Sequence, residues 1–309
     1  MRRVRSQTWA AVVIGALAAA YMIFESQWLR RQRTGLVVPD LPPELEGLTI
    51  LHLSDVHAGQ PGLNIHTFRK AVRWAAEVRP DLIVLTGDIL GARSGWGRCL
   101  PLLRRLKAPL GVYAVPGNHE YGLSKNPLAH PPEPIPWDAC GVQLLRDSCV
   151  ALDLTPGAET AEPEYARTDG PADTPHALDH RDDQDAAGTR PLVSLCGADH
   201  LSGGRPLLAD RSPSESDFSI LLVHRPPEPD DPLGERFHLT FSGHTHGGQI
   251  RIPTPWGLRS LHNEDLPYLE GVHRWGEGIL VISTGIGATF VPFRLFTRPQ
   301  AVVYRLTRG

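Results

Sequence analysis

The sequence predicts an α/β protein in which mixed sheets carry helices on their outer faces. Three observations predict it. The first half alternates short β-rich apolar runs with segments of helical period. The second half is a series of strand-like runs with few helices between them. Polar, metal-capable residues follow directly on several strand ends, the edge where open α/β sheets place their ligands.

The first element is apolar. Trp9 to Phe24 carries no charge and lies between Arg2, Arg3 and Arg5 on one side and Arg30, Arg31 and Arg33 on the other. As a helix this run rises about 24 Å, a little under the hydrocarbon thickness of roughly 30 Å, with Trp9, Tyr21 and Trp28 placed for the interfaces. Residues 1–33 therefore read as a single-pass N-terminal membrane anchor. A cleavable signal peptide competes, because Ala16-Leu17-Ala18 offers a small-residue site, but Tyr21 to Phe24 continues the run beyond it. Arginines flank both ends, and the N-terminal amine tips the balance toward a cytoplasmic N-terminus and an extracytoplasmic remainder.

Residues 34–47, with Pro39, Pro42 and Pro43, read as a linker into a globular domain over 48–309. Thr49 to Leu53 is a β-rich run ending at Ser54-Asp55. Asn64 to Arg79 places Ile65, Phe68, Val72 and Ala75 near helical spacing and stops at Pro80. Leu82 to Leu85 is apolar throughout, as in a strand buried on both faces, and runs into Gly87-Asp88. A helix is expected over Leu100 to Leu106, and Gly111 to Val115 is a third strand ending at Gly117-Asn118-His119-Glu120. Later strands are expected at 192–195, 218–223, 238–241, 249–252, 278–283 and 301–306. Residues 155–191 hold nine acidic residues, three arginines and five prolines, with Tyr165 and Leu178 as the only large apolar side chains. Such a stretch cannot bury enough surface to offset its ordering entropy, so it reads as a disordered acidic insertion.

Composition bounds the function. The 309 residues are 41% hydrophobic and 21% charged, so the chain can bury a full core. A net charge of -3 leaves no global positive field for a nucleic-acid backbone, and no nucleic-acid partner is expected. Cys99, Cys140, Cys149 and Cys196 form no C-x-x-C pair and no dense framework, and read as buried free thiols. Nothing in the composition fixes an oligomeric state.

Asp55, His57, Asp88, Asn118, His224, His244 and His246 carry the chemistry. All are oxygen or imidazole donors, a set that suits Mn, Fe or Zn and excludes a zinc-thiolate centre. Taken singly, a D-x-H, a Gly-Asp turn or one histidine is an ordinary structural feature. Together, each after a β-rich run, they exceed what one catalytic ion uses. If Asp88 bridges, two divalent metal ions receive four protein ligands each and share a water for in-line displacement at phosphorus.

On these motifs the sequence resembles the calcineurin-like metallophosphoesterases. The signature reads Ser54-Asp55-Val56-His57, Gly87-Asp88, Gly117-Asn118-His119-Glu120, His224 and Gly243-His244-Thr245-His246. Gly247-Gly248-Gln249 and the apolar N-terminus are similar to the membrane-associated bacterial branch. The resemblance implies a β-sandwich of two mixed sheets flanked by helices. It implies Asp55, His57, Asp88 and His246 on one metal, and Asp88, Asn118, His224 and His244 on the other. His119 would be the general acid or transition-state hydrogen-bond donor, and Arg294, in a Pro-x-Arg segment, a phosphate contact. Many members carry an acid three residues after the bridging aspartate, where this chain has Gly91. The implied reaction is hydrolysis of a phosphodiester or pyrophosphate, on a membrane or lipid-linked substrate: a UDP-diacylglucosamine hydrolase-like enzyme or a cell-envelope phosphodiesterase. The competing readings are a non-catalytic metal-bound scaffold and a nucleic-acid phosphodiesterase of the same fold.

Overall fold

Period-two alternation of apolar side chains sets the layers. In β2 (Thr49–Leu53), Ile50 faces one core while Leu51 and Leu53 face another. In β3 (Leu82–Thr86), Leu82 and Val84 separate from Ile83 and Leu85 in the same way. A strand buried on both faces must have a layer on each side. One side is covered by α2 (Asn64–Val78) and α3 (Trp96–Leu103), the other by a second sheet. The computed structural model describes residues 2–124, 135–154, 191–209, 212–261 and 267–309.

The remaining strands are β1 (Arg30–Val38), β4 (Val112–Val115), β5 (Gln143–Leu144), β6 (Ser148–Leu152), β7 (Val193–Gly197), β8 (Phe218–Leu222), β9 (Leu239–Ser242), β10 (Arg251–Thr254), β11 (Gly257–Ser260), β12 (Gly271–Trp275), β13 (Gly278–Ile282) and β14 (Gln300–Arg308). The first sheet has the order β1-β14-β2-β3-β4-β5 and the second β12-β13-β9-β8-β7-β6. Both are mixed: β2, β3, β4 and β5 run parallel, as do β7, β8, β9 and β13, with antiparallel neighbours at β14, β12 and β6. Phe218, Ile220, Leu222, Leu239, Phe241 and Tyr304 fill the space between the sheets. Leu221, Trp275, Leu280 and Ile282 form a third core on the outer face of the second sheet. The expected mixed sheets with helices outside are present.

Several expectations need correction. The end of the stretch read as anchor and the first five residues of the stretch read as linker form β1, an edge strand paired in parallel with β14 from Arg30↔Gln300 to Val38↔Arg308. Leu36, Val38, Leu41 and Leu45 are buried there, an anchorage that the arginines and prolines around them mask. The second helix begins at Trp96 rather than Leu100 and carries Pro101 inside it. The acidic stretch lies, except for Pro191, outside the described residues.

The N-terminal helix forms as α1 (Arg2–Glu25), yet among the described residues no helix is long and apolar enough to cross a membrane. Its C-terminal end is seated on the domain. The Met22 carbonyl accepts from the Arg294 N–H at 3.2 Å, and the buried Glu25 carboxylate accepts from the Thr297 N–H at 2.7 Å.

Cys149 and Cys196, read as free thiols, are joined. They stand directly opposite one another in the β6–β7 pair and form a disulfide across 47 residues; Cys99 and Cys140 are the buried free thiols. Closing a loop of that length restricts the unfolded chain, and by loop-closure entropy is worth about 4 kcal/mol. Complete reduction, or the Cys149→Ser/Cys196→Ser pair, is expected to lower the unfolding free energy by roughly 2–4 kcal/mol. Urea melts of the oxidised and reduced protein check this, and coincident curves would show that the link contributes nothing.

Candidate metal centre

Because β2, β3 and β4 are parallel, their C-terminal ends meet at one edge, and β8 and β9 deliver theirs from the facing sheet. Asp55 and His57 follow β2, Asp88 follows β3, Asn118 and His119 follow β4, His224 follows β8, and His244 and His246 follow β9. The chain turns sharply at these points. Asp55, His57, Asp88, His244 and His246 all have φ between 48° and 70°, the left-handed region that costs an L-residue energy. Two glycines make room for the carboxylates. A Cβ on Gly117 would collide with Asp88 and one on Gly243 with Ser54 and Asp55, so any larger residue there would displace the acids.

The side chains converge as three overlapping groups: Asp55, His57 and His246; His57, Asp88 and His119; Asp88, His224 and His244. The Nε2 atoms of His57 and His246 are 2.9 Å apart, with Asp55 Oδ1 3.9 and 3.6 Å from them. His224 Nε2 lies 3.1 Å from His244 Nδ1 and 3.2 Å from Asn118 Oδ1. Asp88 Oδ2 stands between the two sets, 3.6 Å from His57 Nε2 and 3.3 Å from His224 Nε2. Separations near 3 Å between donor atoms of different residues match the edges of a first-row metal's coordination polyhedron with bonds of about 2.1 Å. The residues present fit a pair of divalent cations, with Asp88 between them.

Supporting contacts fix the orientations. His224 Nδ1–H donates to the Thr86 carbonyl at 2.8 Å, which turns its Nε2 toward the centre. Asp55 accepts from the His244 N–H at 3.0 Å and from the Ser54 hydroxyl at 2.5 Å. Glu120 accepts from four backbone amides, those of Asp88, Ile89, Leu90 and Gly117, at 2.7–3.1 Å. It therefore clamps the turn that carries Asp88 to the loop that carries Asn118 and His119.

Burial and crowding set the electrostatics. Removal from water holds His57 and His246 well below the usual imidazole range and raises Asp55. Burial also opposes charge on His224, but Asp88 and Asp55 outweigh it and bring the ring to about 10. Burial raises Asp88 too, and His224, His57 and His119 together overcome it and hold the carboxyl well below its ordinary value. Removal from water, aided by Asp88, pushes Glu120 up to about 7.

All seven candidate ligands and His119 are gathered, His119 Nε2 lying 4.0 Å from Asp88 Oδ2. Burial lowers His119, while Asp88 and the Gly91 backbone favour its charged form. The space a side chain at position 91 would take is filled by Gln60, whose amide donates to the Gly91 carbonyl at 2.9 Å.

Arg294 is placed differently from the expectation of a phosphate contact. It is fully buried, and its N–H groups donate to the carbonyls of Gly287, His246, Thr297 and Thr284, none remaining for a phosphate. It lies behind His246, 3.3 Å from Nδ1, and braces the turn that presents this ring.

The sequence reading missed His200. Its ring centroid lies 5.6 Å from that of His224 and 6.5 Å from that of His244, and burial lowers its pKa to about 4. The signal was available, since Asp199-His200 follows the end of β7 as the other candidates follow theirs. Asp199 is held by the Tyr121 hydroxyl at 2.5 Å and Arg146 at 2.7 Å. A cavity of about 1050 Å³ opens beside His200, lined also by Arg205, Arg225, Glu228 and Leu233. A smaller one of about 170 Å³ reaches from His246 to Ile250, Leu261 and Phe290.

Comparison with known proteins agrees with this geometry. An uncharacterized metallophosphoesterase of Bacillus subtilis, YkuE, is 27% identical over 86% of this chain and 81% of its own. The phosphodiesterase YaeI of Escherichia coli is 24% identical over 99% and 98%. The UDP-2,3-diacylglucosamine pyrophosphatase LpxG of Chlamydia muridarum is 24% identical over 91% and 90%. The family described as calcineurin-like phosphoesterase matches residues 48–248, well over half of the sequence and the part that delivers every candidate ligand. The chain belongs to that family and is a metal-dependent hydrolase of phosphoester bonds.

Proposed function

We propose that the protein hydrolyses a phosphodiester or pyrophosphate bond in a lipid-linked substrate of the cell envelope. Asp55, His57, Asp88 and His246 would hold one divalent cation, and Asp88, Asn118, His224 and His244 the other. The carrying observation is the position of Asp88 Oδ2, 3.6 Å from His57 Nε2 and 3.3 Å from His224 Nε2, where one carboxylate serves both sets. Manganese, iron or zinc suits these nitrogen and oxygen donors. Two such ions, when bound, supply a water ionised near neutral pH and positive charge for an in-line displacement at phosphorus. The chain supplies the rest. Asp55 and His224 are oriented by Ser54 and Thr86, and His119 offers its ring N–H to the leaving oxygen. The cavity beside His200, with Arg205 and Arg225, accommodates the remainder of a phosphate-bearing substrate.

The relatives named as a phosphodiesterase and a UDP-2,3-diacylglucosamine pyrophosphatase support this substrate range. The Cys149–Cys196 disulfide favours an oxidising compartment, in line with the charge reading that puts the domain outside the cytoplasm. That side favours an envelope phosphodiester over a cytoplasmic nucleotide lipid.

The test is turnover of bis-p-nitrophenyl phosphate and p-nitrophenyl phosphate by the full chain with Mn²⁺, beside His119→Ala. Diester cleavage that falls by about 10²-fold in the variant is expected. Absence of turnover on either compound and on a lipid-linked pyrophosphate, with two metals bound by elemental analysis, would overturn the reading.

A further inference from the structure

The domain carries an exposed apolar strip that its fold does not explain. Trp28, Ile252, Trp256, Leu258, Phe290 and Phe296 are all exposed, Trp256 by 84%. They belong to segments bonded to one another. The β10–β11 hairpin is joined to the 290–297 loop through the Ile250↔Leu295 bridge and the Arg251 N–H on the Leu295 carbonyl. The same loop carries the end of α1 through Arg294 on Met22 and Thr297 on Glu25. Arg298 stacks on Trp28 at 3.8 Å. The exposed apolar side chains of α1, among them Val12, Ile14, Leu17 and Phe24, thus lead into the strip. Among the described residues no helix is long and apolar enough to cross a membrane, and an exposed apolar surface of this kind still needs cover.

Cations border the strip. On α2, Arg69 and Arg73 are exposed beside Lys70, whose ammonium donates to the Gln27 carbonyl at 2.9 Å just beyond α1. A cavity of about 500 Å³ there is lined by Trp28, Arg31, Lys70 and Arg73, with Glu77 offsetting one charge at 3.8 Å from Arg31. Aromatic and aliphatic side chains next to arginine and lysine suit a lipid interface with anionic head groups. The strip also borders the metal centre, since Phe290 and Leu261 line the small cavity that reaches His246.

We propose that this face docks on an anionic lipid surface, with the β10–β11 hairpin and the 290–297 loop in the interface and the metal centre opening onto it. The proposal rests on the lipid-linked reading above and deepens it: the acyl part of the substrate stays at the membrane while its phosphate enters the centre beside His246 from that side rather than from solution. Docking commits to lipid because α1 and the strip form one apolar surface edged by cations. A second copy of the chain would need acidic residues opposite Arg69 and Arg73.

The experiment is co-sedimentation of the full chain with phosphatidylcholine vesicles, with and without phosphatidylglycerol. Trp256→Ser/Leu258→Ser/Phe296→Ser is expected to partition about tenfold more weakly, and Arg69→Glu/Arg73→Glu to lose the preference for phosphatidylglycerol. Thermal melting verifies that each variant folds. Should the triple variant fail to fold, Trp256→Ser alone is compared with the unaltered chain for fluorescence quenching by doxyl-labelled lipid, and loss of a quenched component is expected. Unchanged partition of a folded triple variant, or equal quenching in both proteins, would overturn the proposal. So would a dimer that becomes a monomer when the strip is altered while vesicle binding persists. Partition is read without turnover, so a chain that binds vesicles and cleaves neither a phosphodiester nor a lipid-linked pyrophosphate would overturn the lipid-linked substrate reading and leave docking standing.

Discussion

Alanine in place of Asp88 is expected to reduce metal-dependent phosphodiester turnover by about 10³-fold or more, a loss of ~4 kcal/mol of transition-state stabilisation. No other side chain touches as much of the centre. Its Oδ2 lies within 3.6 Å of His57 and 3.3 Å of His224, and its Oδ1 accepts the His119 N–H at 2.8 Å. Removing it takes a ligand from both cation sets and frees the loop that carries His119. Asp88→Asn separates charge from shape, because it keeps the volume and one acceptor but cannot carry the negative charge two cations need between them. Both variants are expected to retain fewer than two metal equivalents by elemental analysis. Full turnover in either would refute the bridging role.

Metal loading is expected to raise the thermal midpoint by roughly 10 °C at a cation concentration about a thousand times the dissociation constant, equivalent to about 4 kcal/mol of linkage. The metal-free centre is costly to fold. Five ligand candidates sit in the left-handed region, at about 1 kcal/mol or more each. Burial raises Asp55 and holds His57 and His246 neutral with their Nε2 atoms 2.9 Å apart. A cation between these donors offsets that cost in the folded state alone. Scanning calorimetry before and after addition of Mn²⁺, and again with a chelator, checks the shift. A midpoint that does not move would mean that the ligand cluster is held by the fold without help from metal.

The centre was legible because each ligand candidate follows a buried β-rich run, and β2, β3, β8 and β9 are buried along most of their length. The edges were not. β1 reads RRQRTGLVV, and only its pairing with β14 makes a strand of so polar a sequence. β11 and β12 are largely exposed, so no core-facing alternation marks them. The disulfide escaped because Cys149 and Cys196 are separated by the acidic stretch and meet only through the register of β6 and β7. Arg294 was placed by its motif, whereas its surroundings of backbone carbonyls depend on how loops 284–297 close over it. A single buried arginine gives no sequence signal that separates support from contact.

The first sheet has a consequence for how the protein reaches its fold. β14 lies between β1 and β2, and its pairing of Tyr304 with Ile50 joins positions about 250 residues apart. Contacts that distant are made late, because loop-closure entropy must be met before the pairing returns anything. Until β14 arrives, β2 presents an open edge of backbone donors and acceptors, while β2, β3 and β4 can already align the turns that bear Asp55, Asp88 and Asn118. Changes in β14 such as Val303→Ala or Tyr304→Ala therefore act on folding rate and on mispairing during folding before they act on the chemistry at the opposite end of the strands.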